Sequence, residues 1–276
     1  MVINTRSQTY KAGFHNVRKN LIKILLSFSG LCIFNIVPAY AGTLSVGAMH
    51  EYINSDETQL LKRIRNNGST TDFIRVSVAQ IDFKDGKEVD VVPDNDGKQD
   101  ESALKCLNSS THQSAYMFPS PSRLIIPARG MQASRLIFCG PRDKEHYFRV
   151  RFIPALPQHV DDFPAEAEEK KRYKQALTAG VNVLTGYGVI VIVRPQVTRF
   201  NTLIKEVPGG HNISNAGNSI IILNQMKTCE KQVPTKCNSS QKIHIRPGQQ
   251  RVIPAQKNHF TQFILNEGVQ NKEIRL

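Results

Sequence analysis

The strongest constraint on the fold is an alternation of apolar and polar side chains with a period of two. Ile74, Val76 and Val78 alternate with Arg75 and Ser77. Phe148, Val150 and Phe152 alternate with Arg149 and Arg151, and Pro154 stops the run. Only an extended strand puts every second side chain on one face, so these are half-buried strands. Residues 189–193 and 220–223 are unbroken apolar runs of strand-forming type. Turn signals punctuate the chain: Asn66-Asn67-Gly68, Asp85-Gly86, Asp96-Gly97, Gly209-Gly210, Ala216-Gly217-Asn218 and Pro247-Gly248. Short strands separated by such turns predict an all-β sandwich architecture. One segment departs from this. Residues 161–175 are charged and rich in Ala, Glu and Lys, with no convincing apolar face, and read as a mobile, solvated loop between two strands.

The N-terminus carries a different pattern. Arg6, Lys11, Arg18, Lys19 and Lys23 precede or enter an apolar run that ends in Pro38-Ala39-Tyr40-Ala41, with Gly42 next. A cationic start, an apolar middle and an A-x-A site are the marks of a cleavable export signal. Residues 1–41 are therefore expected to be removed between Ala41 and Gly42. The apolar stretch is short for a membrane span of about 20 residues, and no later stretch is long and apolar enough to predict membrane insertion. Loss of the five basic residues lowers the formal charge of the 276-residue chain from +13 to +8. The mature length suits two domains, and the end of the 189–193 run at Arg194-Pro195 places the boundary there: 42–194 and 195–276.

Four cysteines lie beyond the signal: Cys106, Cys139, Cys229 and Cys237. In an oxidising compartment an even count predicts two disulfides. The short separation of Cys229 and Cys237 favours that pair and leaves Cys106 with Cys139. A zinc site is disfavoured, because no C-x2-C pair or His cluster is present. No G-x-S-x-G, H-E-x-x-H or phosphate-binding Gly-rich loop occurs, and the histidines are dispersed. Asp94-Asn95-Asp96-Gly97 lacks oxygen ligands at both ends of an EF-hand register, Val92 and Ala103, and reads as a polar turn. The expectation is a non-enzymatic protein without metal or cofactor. The basic residues are scattered and follow no nucleic-acid-binding signature.

The distinctive block is Ser122-Arg123-Leu124-Ile125-Ile126-Pro127-Ala128-Arg129-Gly130-Met131-Gln132, then Arg135-Leu136-Ile137-Phe138, Gly140-Pro141-Arg142-Asp143-Lys144-Glu145, and a strand ending in Ile153-Pro154. It resembles the periplasmic pilus-assembly chaperones of the chaperone–usher pathway. Residues 180–195 resemble the long last strand of their first domain. Asn215-Ala216-Gly217-Asn218 and the Cys229/Cys237 pair resemble features of their second domain. The chain departs from the familiar pattern at Ala128-Arg129-Gly130, where Pro-Gly is usual, and in the extra pair Cys106 and Cys139. Gly186-Tyr187-Gly188 and the Val/Ile-rich strand after it resemble the alternate, common-pilus-type branch.

The resemblance implies two immunoglobulin-like β-sandwiches set at an angle. It implies a periplasmic chaperone that captures pilus subunits and delivers them to an outer-membrane usher. Such a chaperone lends its last strand to a subunit that lacks one, an exposed edge being an aggregation hazard. The donor residues would be Val181, Val183 and Thr185. The resemblance also implies a basic pair that anchors the subunit's terminal carboxylate. The matching positions here fall near His50 and Ile190, so the anchor candidates are His50, Arg75 and Arg194. Self-capping by a homodimer is a further implied state. The competing expectation is a structural pilus component, a subunit or tip adhesin, which would carry a single incomplete sandwich.

Overall fold

The computed structural model describes residues 44–91, 114–155, 163, 165–178 and 186–276. The expected export segment 1–41, the Ala41/Gly42 site, Cys106, the 94–97 turn and the donor candidates Val181, Val183 and Thr185 lie outside the described residues. The described strands belong to one compact unit, Gly42–Leu276.

The elements follow in chain order. β1 is Leu44–Ser45, β2 His50–Ile53, β3 Gln59–Asn66, β4 Asp72–Lys84 and β5 Lys87–Val91. β6 is Tyr116–Ser120, β7 Arg123–Ile126, β8 Met131–Cys139 and β9 His146–Pro154. A helix, α1, spans Ala167–Thr178, and β10 spans Tyr187–Val193. Beyond it come β11 Thr202–Val207, β12 Gly210–Asn215, β13 Ile221–Glu230 and β14 Gln241–Ile245, then β15 Gln250–Pro254, β16 His259–Glu267 and β17 Gln270–Arg275.

Strands up to β10 form two sheets. One runs β1-β3-β8-β6; the other runs β2-β10-β9-β4-β5, with β7 also on β4. Strands from β11 on form two more, β11-β12-β15 and β14-β13-β16-β17. The alternation read from the sequence sets the cores. Ile74, Val76, Val78, Phe148, Val150 and Phe152 all point inward, joined by Val189, Val191 and Val193, and meet Ile64, Leu136 and Phe138 of the facing sheet. In the second sandwich Ile213 and Ile253 face Ile221, Leu223, Phe263 and Leu265. Each such side chain removes apolar surface worth about 1.5–3 kcal/mol from water. The all-β expectation is borne out.

Both sandwiches use the same polar device at a turn. Asn66 is buried, and its Nδ2 donates to Thr70 O and Ile126 O, while its Oδ1 accepts from Gly68 N. Asn215, also buried, donates to Ser219 O and Ile245 O and accepts from Gly217 N. In each case one amide satisfies backbone groups that the turn takes out of the ladder. Asn66-Asn67-Gly68 and Asn215-Ala216-Gly217 are therefore structural equivalents, although no fixed-period repeat is visible in the sequence.

The segment expected as a solvated loop is helical over α1. Tyr173 and Phe163 are buried against Phe73, with ring centroids 5.0 and 5.3 Å from it. Thr71 Oγ1 donates to Glu169 at 2.7 Å. The helix needs no continuous apolar stripe, because one tyrosine inside it and one phenylalanine before it supply the contact. Glu168 and Glu169 in its first turn suit the positive end of the helix dipole.

Cys229 and Cys237 are disulfide-bonded, eight residues apart. A loop that short limits the entropic stabilisation to about 2.5 kcal/mol. Cys139 is also disulfide-bonded.

Candidate functional site

β10 is the strand on which the site is built. It pairs along its length with β9, antiparallel, from Tyr187↔Phe152 to Val193↔His146. Its other edge is covered only in part. β2 pairs with it in parallel from Ile190↔His50 to Val193↔Ile53, and Ile190 N donates to Met49 O at 2.9 Å. Backbone groups alternate sides along a strand. Gly188, two residues before Ile190, therefore directs its N–H and C=O to the same side. No described strand covers that side over Tyr187, Gly188 and Val189. The open edge sits directly before the buried valines of the core.

The anchor candidates occupy three different environments. His50 stands at the open edge, exposed, opposite Ile190, with its ring stacked on His244 at 4.1 Å. Burial against that ring and the charge of Lys242 lower its pKa, so it is neutral near pH 7. Arg75 lies on β4 between Arg123 of β7 and Ile153 of β9, exposed and two strands from β10. Arg194 is buried just beyond the end of β10, and its Nη1 donates to Ser219 Oγ at 2.7 Å. Its guanidinium also lies over the rings of Tyr52 and Phe200, at 5.2 and 5.3 Å. The structure brings His50 and Ile190 together and leaves Arg75 and Arg194 apart from them.

The residues that hold the end of β10 come from the 140–145 block. Gly140 has φ +112, and a Cβ there would lie 2.6 Å from Ser114 O, so only glycine fits. That turn aims Arg142 at the far end of β2. Its guanidinium donates to the carbonyls of Ile53, Asn54, Ser55, Glu57 and Arg194, at 2.6 to 3.3 Å. One side chain thus ties the end of β10 to the β2–β3 connection.

Glu145 reaches the other way, to the second sandwich. It accepts from Ser219 Oγ at 2.5 Å and from Ile220 N at 2.9 and 3.1 Å, and also from the hydroxyl of Tyr147. Burial pushes its carboxyl above the usual carboxylate range, against the pull of these donors and of Arg194. Tyr147 is pushed up by burial and by the neighbouring Glu145 charge. Alongside, Tyr52 OH lies 2.8 Å from His244 Nε2. Burial raises Tyr52 to about 12 and lowers His244 to about 4. A neutral imidazole and a neutral phenol thus share this hydrogen bond.

This contact carries a pH dependence of known sign. His244 binds its proton less readily in the folded protein than at its ordinary 6.5. Its contribution to stability is present above that pH and is lost as pH falls toward about 4. His244→Gln keeps a hydrogen-bonding group for Tyr52 but removes the titration. Urea melts between neutral pH and about pH 4 are expected to show a shallower loss of stability in this variant than in the wild type. Parallel slopes would refute the assignment.

Sequence reasoning located β10, His50 and Ile190 but missed Arg142, Glu145, Tyr52 and His244. Arg142 and Glu145 stood inside the distinctive block, which was the available signal. No local pattern marked Tyr52 or His244, whose partners are 192 residues apart.

No protein-family model matches the chain. The Probable fimbrial chaperone EcpB of Escherichia coli strain ATCC 8739 is 25% identical over 239 residues, covering 85% of this chain and 88% of that protein. Its counterpart in Escherichia coli strain K12 is 24% identical over a span of the same length. Among solved structures, the class 5 fimbriae chaperone CfaA aligns with a TM-score of 0.51 at 16% identity, over 84% of this chain and 97% of that one. The resemblance first seen in the 122–154 block thus extends over most of the chain, and the fold is the all-β, immunoglobulin-like double sandwich of the pilus chaperones.

Proposed function

We propose that this chain is a periplasmic chaperone of pilus subunits, exported by residues 1–41. Residues 42–194 capture the subunit and 195–276 form the second domain. The observation that carries the proposal is the open β10 edge at Tyr187–Val189, rooted in a rigid core and continuous in sequence with Val181, Val183 and Thr185. Those three share the parity of Val189, Val191 and Val193, which face the core. In a subunit-bound strand of unbroken β geometry they would present one apolar row to the groove of an incomplete sandwich, while the backbone completes its sheet. The similarity to proteins named fimbrial chaperones supports the same reading.

In this proposal the subunit's terminal carboxylate docks beside His50, the one anchor candidate at the open edge. Arg194 is engaged at the junction and Arg75 is remote, so both act only indirectly. Delivery to an outer-membrane usher follows capture. Free chaperone would shield the same edge by pairing with a second copy.

The test is co-expression with a candidate pilus subunit from the same genome. A one-to-one periplasmic complex is expected, together with aggregation of the subunit when this chain is absent. A subunit that stays soluble and unbound in both cases would remove the proposal. A single-sandwich pilin role is disfavoured by the second complete pair of sheets, β11-β12-β15 and β14-β13-β16-β17.

A further inference from the structure

The sheet β1-β3-β8-β6 contains no acidic residue in any of its four strands, which read LS, QLLKRIRN, MQASRLIFC and YMFPS. Its inward face holds one cation, Lys62, which is buried and neutralised by Glu51 at 2.5 Å. Its outward face holds three more, Arg63, Arg65 and Arg135, all exposed. None of the three takes part in an ion pair among the described residues. The facing sheet behaves differently: Arg149 and Arg151 are matched there by Glu88 and Asp90. The facing sheet also holds two exposed arginines without an ion pair among the described residues, Arg75 and Arg123, which stand opposite each other; what sets the β3 and β8 face apart is that its strands carry no acidic residue.

The arginines alternate with apolar side chains. Arg65 stands opposite Met131, Arg63 opposite Ala133, and Leu61 opposite Arg135, with Gln59 opposite Ile137 at the end. Leu61 is 45% and Met131 56% exposed, among the more exposed large apolar residues of the chain. Strands lie about 4.8 Å apart and same-face residues about 6.6 Å apart along a strand, so each guanidinium has an apolar neighbour within side-chain reach. All three outward cations are arginine. Its planar fork pairs with a carboxylate through two parallel bonds, and it is enriched at protein interfaces, unlike lysine.

We infer that the outward face of β3 and β8 is a docking surface for a protein partner that presents an acidic, apolar-bearing segment. The paired strands supply the surface, Leu61, Met131 and Ile137 supply the apolar contact, and Arg63, Arg65 and Arg135 supply charge complementarity. The surface is separate from the β10 edge, so it can be occupied while a subunit is held.

The probe is the random copolymer poly(Glu,Tyr), bound to the full mature chain and followed by fluorescence anisotropy. The wild type is expected to bind it with an affinity that falls as salt rises, exposed charges being screened over about 8 Å at physiological ionic strength. Arg63→Glu/Arg65→Glu/Arg135→Glu is expected to weaken binding at least tenfold, and Leu61→Gln/Met131→Gln severalfold. Lys205→Glu/Arg251→Glu/Lys272→Glu makes the same charge change at exposed positions of the second sandwich and is expected to leave binding unchanged. The corresponding Arg→Gln triple repeats the test should the Glu series fail to fold. Equal loss in the second-sandwich control, or no binding by the wild type, would overturn the inference. So would an arginine triple that keeps copolymer binding but no longer floats with phosphatidylglycerol vesicles, because that result assigns the face to a membrane.

Discussion

Val181→Asp combined with Val183→Asp is expected to abolish capture of the pilus subunit while leaving the chaperone folded. Each substitution removes an apolar side chain whose burial in the subunit groove is worth about 1.5–3 kcal/mol. It also brings a carboxylate into a site with no charge partner, a further cost of several kcal/mol unless the group protonates. Even the lower apolar figure alone, about 3 kcal/mol for the pair, weakens binding by more than a hundredfold. The fold should survive, because the core valines that hold β10 are Val189, Val191 and Val193, six residues or more beyond Val183. The measurement is subunit co-purification from periplasmic extract, with a thermal melt of the variant alone. Undiminished co-purification by a folded variant removes the donor assignment. Val181→Ala/Val183→Ala, with a smaller loss, separates apolar contact from charge.

Glu145→Ala is expected to lower stability by about 3–5 kcal/mol, the range for breaking a buried ionic network by removing one partner. The variant leaves Tyr147 OH, Ser219 Oγ and the Ile220 amide without their common acceptor, and Arg194 without its nearby counter-charge. Because Glu145 lies on one sandwich and Ser219 and Ile220 on the other, loss of cooperativity between the two is expected as well. It would appear as a broadened or biphasic urea transition. Glu145→Gln keeps an acceptor and is expected to cost less. The carboxyl is raised above its usual range. Its contribution to stability is therefore present at pH values below that range and is lost as pH rises through the folded-state value. The Gln variant should lack this component. A single sharp transition in Glu145→Ala at an unchanged midpoint would mean that the network contributes nothing.

These two expectations draw on different sources. The donor assignment comes from strand parity, a property of the chain read residue by residue. The Glu145 assignment was not readable that way. Glu145 sits among Arg142, Asp143 and Lys144, which looks like a charged turn in sequence. Its partners in the second sandwich are 74 and 75 residues away, and those of Arg142 lie 52 to 89 residues away. Nothing in a local pattern distinguishes a charge that will be buried against them from one left in solvent. Arg194 shows the same limit. It reads as a free cation beside a binding strand, and the structure buries it over Tyr52 and Phe200.

The sequence by itself determined the strands and the inward faces of the main strands. Period two is imposed by the backbone of each extended segment and needs no knowledge of its neighbours. The two anchor positions that the family resemblance implies fall near His50 and Ile190, which stand opposite each other in the register of β2 and β10. The tertiary structure decided what covers each face. It made a helix of α1 through two aromatic contacts with Phe73, and it gave Asn66 and Asn215 the same role in the two sandwiches. It matched Arg149 and Arg151 with Glu88 and Asp90 and left Arg63, Arg65 and Arg135 without an ion pair among the described residues. Those outcomes depend on pairings across tens of residues, where burial and hydrogen bonding between distant groups outweigh the preference of any short segment.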